Sequence, residues 1–361
     1  MALSVLPGCL PPMGPSNLLR DKIAYDKAIK QGSQEELLLN IVQLRFADTP
    51  VFLETQQIIG NYNYKKRLIG GIAGSPWGGV PEAEYNGLGM AGELAFADNP
   101  TITYQPLSGD HMSALILHPL SPNVVVPLIQ GSPIDMLLSL VAESLGGEEN
   151  IRNPVSAGPM AYQSAENFTL LVQDLRKLQI EGAISVRHIL GAAATKNLPA
   201  VPARTYLVFE NGGEESITKL QNETKKLLDL PQNVKEAEIV YDRKPTGKAQ
   251  IVLTTRSMLS ILTNISATIE VSPESIKEGK TVPTISDNVR KGRSTIVVHC
   301  DHEKSKKDVF VEIHYKDHTY WISDSDFESK LAFTLLQIIC TLAMNRTAEG
   351  AMVTIPVSGG H

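Results

Sequence analysis

Residues 52–104 read FLETQQIIGNYNYKKRLIGGIAGSPWGGVPEAEYNGLGMAGELAFADNPTITY, and this stretch decides the fold. It resolves into two extended arms around the turn Ser75-Pro76-Trp77-Gly78-Gly79-Val80-Pro81, because Pro and Gly supply the φ angles that a chain reversal needs. In the returning arm Leu88, Met90, Leu94 and Phe96 alternate with Gly87, Gly89, Ala91, Glu93 and Ala95. A period of two is that of a β-strand, with large apolar residues on one face and small ones on the other. The outgoing arm is less regular: Lys65-Lys66-Arg67 interrupts it and Gly70-Gly71 ends it. Strands in globular proteins usually run about 3–10 residues, so arms of this length need a reason.

Two reasons fit. Each subunit could donate such a hairpin to an oligomeric barrel in an outer membrane, where a spanning strand needs about 9–11 residues and ring closure removes open edges. Alternatively the arm is an exposed device for subunit contact through edge pairing. Leu88, Met90, Leu94, Phe96 and Trp77 are then the assembly or membrane residues. The plain counterpart is a two-stranded arm packed on the body, or a glycine-rich loop.

Upstream of the arm the sequence predicts a helical pair. Arg20–Gln31 is the first helix. Ser33-Gln34-Glu35-Glu36 has the form of a capping box for the second, whose apolar residues Leu37, Leu38, Ile41, Val42 and Leu44 recur at helical spacing before Pro50. Downstream, Ser132-Pro133 looks like a cap with proline at the first helical position. The helix it starts would run from Pro133 to Leu145 and end at Gly146-Gly147. A domain boundary is expected at Asn153-Pro154. Beyond it come an amphipathic helix to about Ile180, a strand Tyr206–Phe209, a helix Glu214–Leu228 with Ile217, Leu220, Leu227 and Leu228 inward, and strands at Ala237–Tyr241 and Gln250–Thr254. A helix Ser257–Ala267, strands Thr295–His299, Val309–Tyr315 and Thr319–Ile322, and an apolar helix around Leu331–Met344 complete the chain. The expected fold is α+β: an N-terminal helical pair with a long Gly-rich β-hairpin, then a mixed α/β body ending in a β-hairpin and a buried helix. The expected division is 1–19, a signal remnant and tether; 20–153, the helical region with the arm 52–104; and 154–361, the C-terminal α+β domain.

The apolar stretch Leu3–Gly8 leads into Cys9, and a Pro/Gly/Ser tether follows. A short apolar run, a small residue and then cysteine is the pattern at the processing site of a bacterial lipoprotein, where the cysteine carries the acyl chains. No Lys or Arg precedes Arg20, so the signal is incomplete as it stands, and an ordinary N-terminal segment with a free thiol is the plain counterpart.

Composition narrows the function classes. An apolar content of 42% with 20% charged residues excludes wholesale disorder. The 33 basic and 39 acidic residues leave a net charge of −6, and no basic tract appears, so nucleic acid is not an expected partner. Three cysteines are too few for a disulfide scaffold. Neither a GxGxxG between strand and helix nor a GxxxxGK[ST] loop is present, and there is no GxSxG elbow. His299 and His302, near Cys300, are the candidate metal ligands, but adjacent strand residues such as His299 and Cys300 face opposite ways, and no metal or cofactor is expected. Asp324, Asp326 and Glu328 read as caps for the last helix.

Several blocks together resemble a large family of uncharacterised proteobacterial envelope proteins, many with lipoprotein signals. They are LLLNIVQLRFADTPVFLE (Leu37–Glu54), NPTITYQPLSG (Asn99–Gly109), TTRSMLSIL (Thr254–Leu262) and YWISDSDFESKLAFTLL (Tyr320–Leu336), with VTIPV near the end. The resemblance covers most of the chain in order. It implies a lipid anchor at Cys9 and supplies no catalytic residue. The expectation is a non-enzymatic outer-membrane lipoprotein on the periplasmic face, a structural subunit of an oligomeric envelope or secretion/export assembly. Its partners would be further copies of itself and other envelope proteins. A monomeric periplasmic module binding a small ligand, peptide or envelope polymer is the alternative, and an envelope hydrolase a third.

Overall fold

The computed structural model describes residues 15–59, 62–72, 88–98, 101–106, 109–152, 160, 165–191, 203–211, 213–241, 247–285, 296–301 and 308–347. In chain order, α1 (Pro15–Arg45) precedes β1 (Leu53–Ile59), β2 (Tyr62–Ile72), β3 (Leu88–Asp98) and β4 (Thr101–Pro106). Next come α2 (Gly109–Ile116), α3 (Pro122–Gly131), α4 (Ile134–Val141), β5 (Ala142–Leu145), β6 (Glu148–Glu149), α5 (Glu166–Ile180), β7 (Ile184–Ile189) and β8 (Arg204–Phe209). The remainder is α6 (Glu215–Leu227), β9 (Glu236–Tyr241), β10 (Gln250–Thr255), α7 (Met258–Ser266), α8 (Pro273–Lys277), β11 (His299–Asp301), β12 (Val309–Tyr315), β13 (His318–Ser323) and α9 (Phe327–Thr347). The fold is α+β. It forms two units, one of residues 1–50 and 108–361, the other of residues 51–107.

The expected helical pair is one continuous helix. Ser33 does not cap: its hydroxyl donates to the Ile29 carbonyl at 2.9 Å, the back-bond a serine makes inside a helix. Gln31 reaches Glu35 at 2.8 Å across the same turn, so the ladder passes through Gly32. Gln34, Leu37, Leu38, Ile41, Val42 and Arg45 form the buried stripe of α1. A Schellman arrangement ends it. The Asp48 N–H donates to Gln43 O at 2.9 Å and the Ala47 N–H to Leu44 O at 3.2 Å, with Ala47 at φ +58°.

The main sheet runs in the order β6-β5-β10-β9-β8-β7. β9 and β10 are parallel, and the other neighbours are antiparallel. Alternate residues of β8, β9 and β10 point inward, so Leu207, Ile239, Ile251 and Leu253 pack against Ile134 and Leu138 of α4 and Leu175 of α5. The main sheet joins both sides of the expected boundary at Asn153-Pro154, because β5, which precedes it, pairs with β10, which follows it. β7, mostly exposed at the sheet edge, was not read from the sequence. On α6 the buried residues are Gln221, Thr224 and Lys225; of the expected stripe Leu228, at its end, is buried, while Ile217, Leu220 and Leu227 are half-buried. Gln221 donates to Ala183 O at 2.9 Å and Glu210 O at 2.8 Å, tying the helix to the ends of β7 and β8.

The helix expected over 133–145 stops at Val141 and becomes strand without an intervening loop: Ala142 already has φ −86° and ψ 132°. The last carbonyls of a helix need donors, and Arg256 supplies them. Its Nη1 donates to Ser139 O at 3.1 Å and Leu140 O at 3.4 Å, and its Nη2 donates to Ile151 O. Its backbone N–H donates to Val141 O at 2.8 Å. The guanidinium is buried, and burial lowers its pKa to about 10. Gly146-Gly147 is then a two-residue hairpin turn between β5 and β6, with φ +60° and +93°.

A second sheet has the order β11-β13-β12, its β12–β13 turn made by Lys316 and Asp317, both at positive φ. Asp326 caps α9, accepting from the Ser329 N–H at 3.1 Å and its hydroxyl at 2.6 Å. Helix α9 buries Ala332, Phe333, Leu335, Leu336, Ile339 and Cys340, while Phe327, Ile338 and Leu342 are exposed. Phe327–Met344 is long and apolar enough to cross a membrane by length and composition, yet α9 packs against α2, α3, α4 and β13.

Two substitutions test these joints. Arg256→Met should cost about 1–3 kcal/mol in denaturant unfolding, because the buried Leu140 carbonyl loses its side-chain donor while Ser139 O keeps Asn150 and Ile151 O keeps Asn264; stability near wild type would mean that water replaces the guanidinium. Gly147→Ala should cost about 1–2 kcal/mol for its left-handed φ. Gly146→Ala should cost more, since its Cβ would lie 2.9 Å from Leu228 Cδ2 and 3.1 Å from Leu228 Cα. Equal losses would disprove that close approach.

Candidate functional site

The smaller unit is a ribbon of two antiparallel ladders. β1 pairs with β4 from Leu53↔Pro106 to Ile59↔Thr101, with a register shift between Thr55 and Gln57. β2 pairs with β3 over eleven positions, from Tyr62↔Asp98 to Ile72↔Leu88. From Gln57 outward, partner numbers add to 160 in both ladders, so the described pairs beyond the shift share one register. At about 3.3 Å per residue, β2 alone is roughly 35 Å long.

Directly opposed residues in an antiparallel pair share a face, so the register assigns every position to one side. Leu88, Met90, Leu94 and Phe96 share a face, and Ile72, Leu68, Tyr64 and Tyr62 of β2 join them there. The other face holds Gly89, Ala91, Glu93, Ala95 and Ala97 with Gly71, Ile69, Arg67, Lys65 and Asn63. The outgoing arm is thus as two-sided as the returning one. Its period is hidden in the sequence by Lys66 and Gly70, which occupy apolar-face positions opposite Leu94 and Met90. Arg67 lies directly across from Glu93. Of the other expected residues, Cys9, Trp77 and His302 lie outside the described residues.

The histidine-cysteine pair on β11 separates as the strand period requires. His299 opposes Trp321 and Cys300 opposes Tyr320 across the β11–β13 ladder. The His299 and Trp321 rings lie 5.2 Å apart. His299 Nδ1 meets Glu270 Oε1 at 3.2 Å, and the Cys300 N–H donates to the other Glu270 oxygen at 3.3 Å. The hydrogen bond to Glu270 raises the His299 pKa against the opposing effect of burial. Burial raises Cys300 and pushes Cys340 up to about 12, so both are thiols at neutral pH and not thiolate nucleophiles. His314 shares a hydrogen bond with the Thr319 hydroxyl at 2.8 Å, and His318 Nδ1 lies 2.8 Å from Lys316 O. Among the described residues no three of His, Cys, Asp and Glu converge as metal ligands. Between α4, α5 and the main sheet lies a cavity of about 20 Å³ lined by aliphatic side chains. That is room for a water-sized group, far below the roughly 300–1,000 Å³ of a ligand pocket.

His299 supplies a pH test. A histidine whose folded pKa is raised lends stability below its unfolded value, near 6.5, and that contribution disappears as pH rises through the folded value. In an NMR titration Glu270→Gln should lower the His299 midpoint toward the ordinary one; an unchanged midpoint would show that the carboxylate does not hold the imidazolium. No protein-family model, curated protein or solved structure matches this chain.

Proposed function

We propose that the chain is a non-enzymatic lipoprotein of the bacterial outer membrane, anchored at Cys9 and facing the periplasm. It serves as a structural subunit of a homo-oligomeric envelope assembly of the secretion or export kind. The hairpin 52–104 is its assembly and membrane-inserting element.

The observation that carries this reading is the β2–β3 register. Each strand has eleven residues, matching the about 9–11 of a tilted membrane strand. One face carries the apolar and aromatic positions, with Lys66 and Asp98 among them, and the other is mostly small and polar, the two-sidedness of a barrel wall between lipid and water. Tyr62, Tyr64 and Phe96 cluster at one end of the apolar face, where aromatic girdles meet the headgroups. Lys66 is next to that cluster, close enough to the interface for a long side chain to keep its ammonium in water.

The ribbon's outer edges call for a partner. Among the described residues β2 and β3 pair only with each other. Open strand edges do not persist in lipid, where every N–H and C=O must be paired. A further copy closes them when β2 of one subunit meets β3 of the next. β2 carries Lys65, Lys66 and Arg67 with no acid, and β3 carries Glu93 and Asp98 with no base. Such a contact therefore joins a basic strand to an acidic one.

Light scattering of the full-length protein, extracted in detergent from membranes of a host using its native upstream sequence, tests the assembly. The expected result is one homogeneous large multiple of 39.3 kDa. Replacing residues 62–98 by a short Gly/Ser link should reduce it to a monomer. A monomer at full length would overturn the reading and favour the periplasmic binding module.

A further inference from the structure

We infer that the outer part of α1, Pro15–Gln31, is a helical spacer hinged at Gly32-Ser33, which joins the packed body to the lipid end of the chain at Cys9. The inference rests on the proposed anchor and adds to it the device that links anchor to body.

Helix α1 changes character at Gln34. From Gln34 to Arg45 one stripe is buried, and the helix packs on α7 and β12. From Lys22 to Ser33 every residue is exposed except Tyr25 and Ile29, which are half-buried, and Ile23 is 47% exposed. Carried outward from Gln34 at intervals of four and three, the buried stripe meets Lys30, Lys27 and Ile23. Two ammonium groups on that line keep the core face from continuing. A helix that is polar nearly all round suits a bridge through solvent between two bodies. Packing of the inner half supplies the costly nucleus, so the outer residues need only propagate the helix. The Gln31–Glu35 bond at 2.8 Å crosses the junction, and Asp26 stands four residues before Lys30, the favourable order for a helical ion pair. At about 1.5 Å per residue Pro15–Gln31 spans about 25 Å. The chain from Cys9 to Pro15 reaches at most about 20 Å further.

The weak point lies where the packing ends. Glycine gives a helix backbone more freedom than any other residue, and a serine bonded to the preceding turn bends a helix slightly. Gly/Ser pairs are among the few places where helices kink. Gly32 and Ser33 are such a pair, with Ser33 donating to Ile29 O at 2.9 Å. A Cβ on Gly32 would meet nothing within 4 Å, so close packing does not account for the glycine. A body held to one membrane both at Cys9 and by its ribbon needs such a joint, because two rigid attachments would fix its tilt.

The test is pulsed electron spin resonance on the full-length lipidated protein in detergent. Spin labels go at Lys22→Cys and Lys280→Cys, both exposed positions, in a Cys300→Ser background. The chain with Gly32 should give a broad distribution of distances, and Gly32→Ala a narrow one. Hydrogen exchange over 22–31 should slow about fivefold in Gly32→Ala, equivalent to about 1 kcal/mol of helix propensity. Distributions of equal width in the two proteins would overturn the hinge. Amides over 22–31 exchanging at unfolded rates in both would overturn the spacer. Cys9→Ser separates hinge from anchor: release from the membrane with unchanged distances supports both, whereas retention overturns the anchor and the spacer's role with it.

Discussion

A backbone carbonyl taken out of water must find a donor, and at the end of α4 the donor comes from 117 residues further along the chain. The Arg256 guanidinium bonds Ser139 and Leu140 within the helix and Ile151 in the following loop. Its own N–H takes Val141, and its carbonyl accepts from the Leu120 N–H. These bonds allow α4 to become β5 between one residue and the next, which places β5 beside β10 and the Gly146-Gly147 turn against Leu228. A fixed positive charge at a helix C-terminus also opposes the helix dipole. Burying a guanidinium is costly, and its pKa is correspondingly depressed. The cost is met by hydrogen bonds to three carbonyls, of which Ser139 O is shared with Asn150 and Ile151 O with Asn264.

The same constraint separates what was legible in the sequence from what was not. The stripe Phe168, Leu171, Val172, Leu175 and Leu178 was readable because α5 buries one face by local period alone, and all five are buried. The β12–β13 hairpin was readable because a two-residue turn lies between two β-rich runs. The helix expected over 133–145 ran four residues too far because its terminator is a distant arginine rather than a local cap. The break expected at Ser33 failed for the converse reason: a serine that could cap a new helix also back-bonds to the preceding turn of one that continues. On α6 the aliphatic pattern found Leu228, which is buried at the helix end, and missed Gln221, whose amide closes two strand ends.

In the candidate site half of the signal lay on the surface of the sequence and half did not. β3 alternates openly, because alanine and glycine fill its second face. β2 hides the same period behind Lys66 and Gly70, and only the pairing with β3 restores it by giving each position a partner of known side. His299 and Cys300 are placed by register in the same way. Their cross-strand partners Trp321 and Tyr320 assign them to opposite faces, and Glu270 engages the imidazole and the Cys300 amide. Register carries information that composition along a single strand does not.

Lysines on a strand edge are also how natural sheets discourage unwanted pairing, so Lys65 and Lys66 could be taken as mere gatekeepers. The opposite charges on β3 weigh against that. If both edges were to be blunted, like charges on both would repel every copy, whereas a basic β2 and an acidic β3 repel only β2–β2 and β3–β3 contacts. In the proposed assembly this charge pattern would admit the head-to-tail arrangement and penalise the symmetric ones. A head-to-tail contact is heterologous, and it yields a ring when its rotation closes and a filament when it does not. Strand twist gives each added ribbon a rotation of constant hand, which curves a growing sheet toward closure. A membrane adds the remaining condition, since in hydrocarbon a filament would keep two open edges and a ring has none.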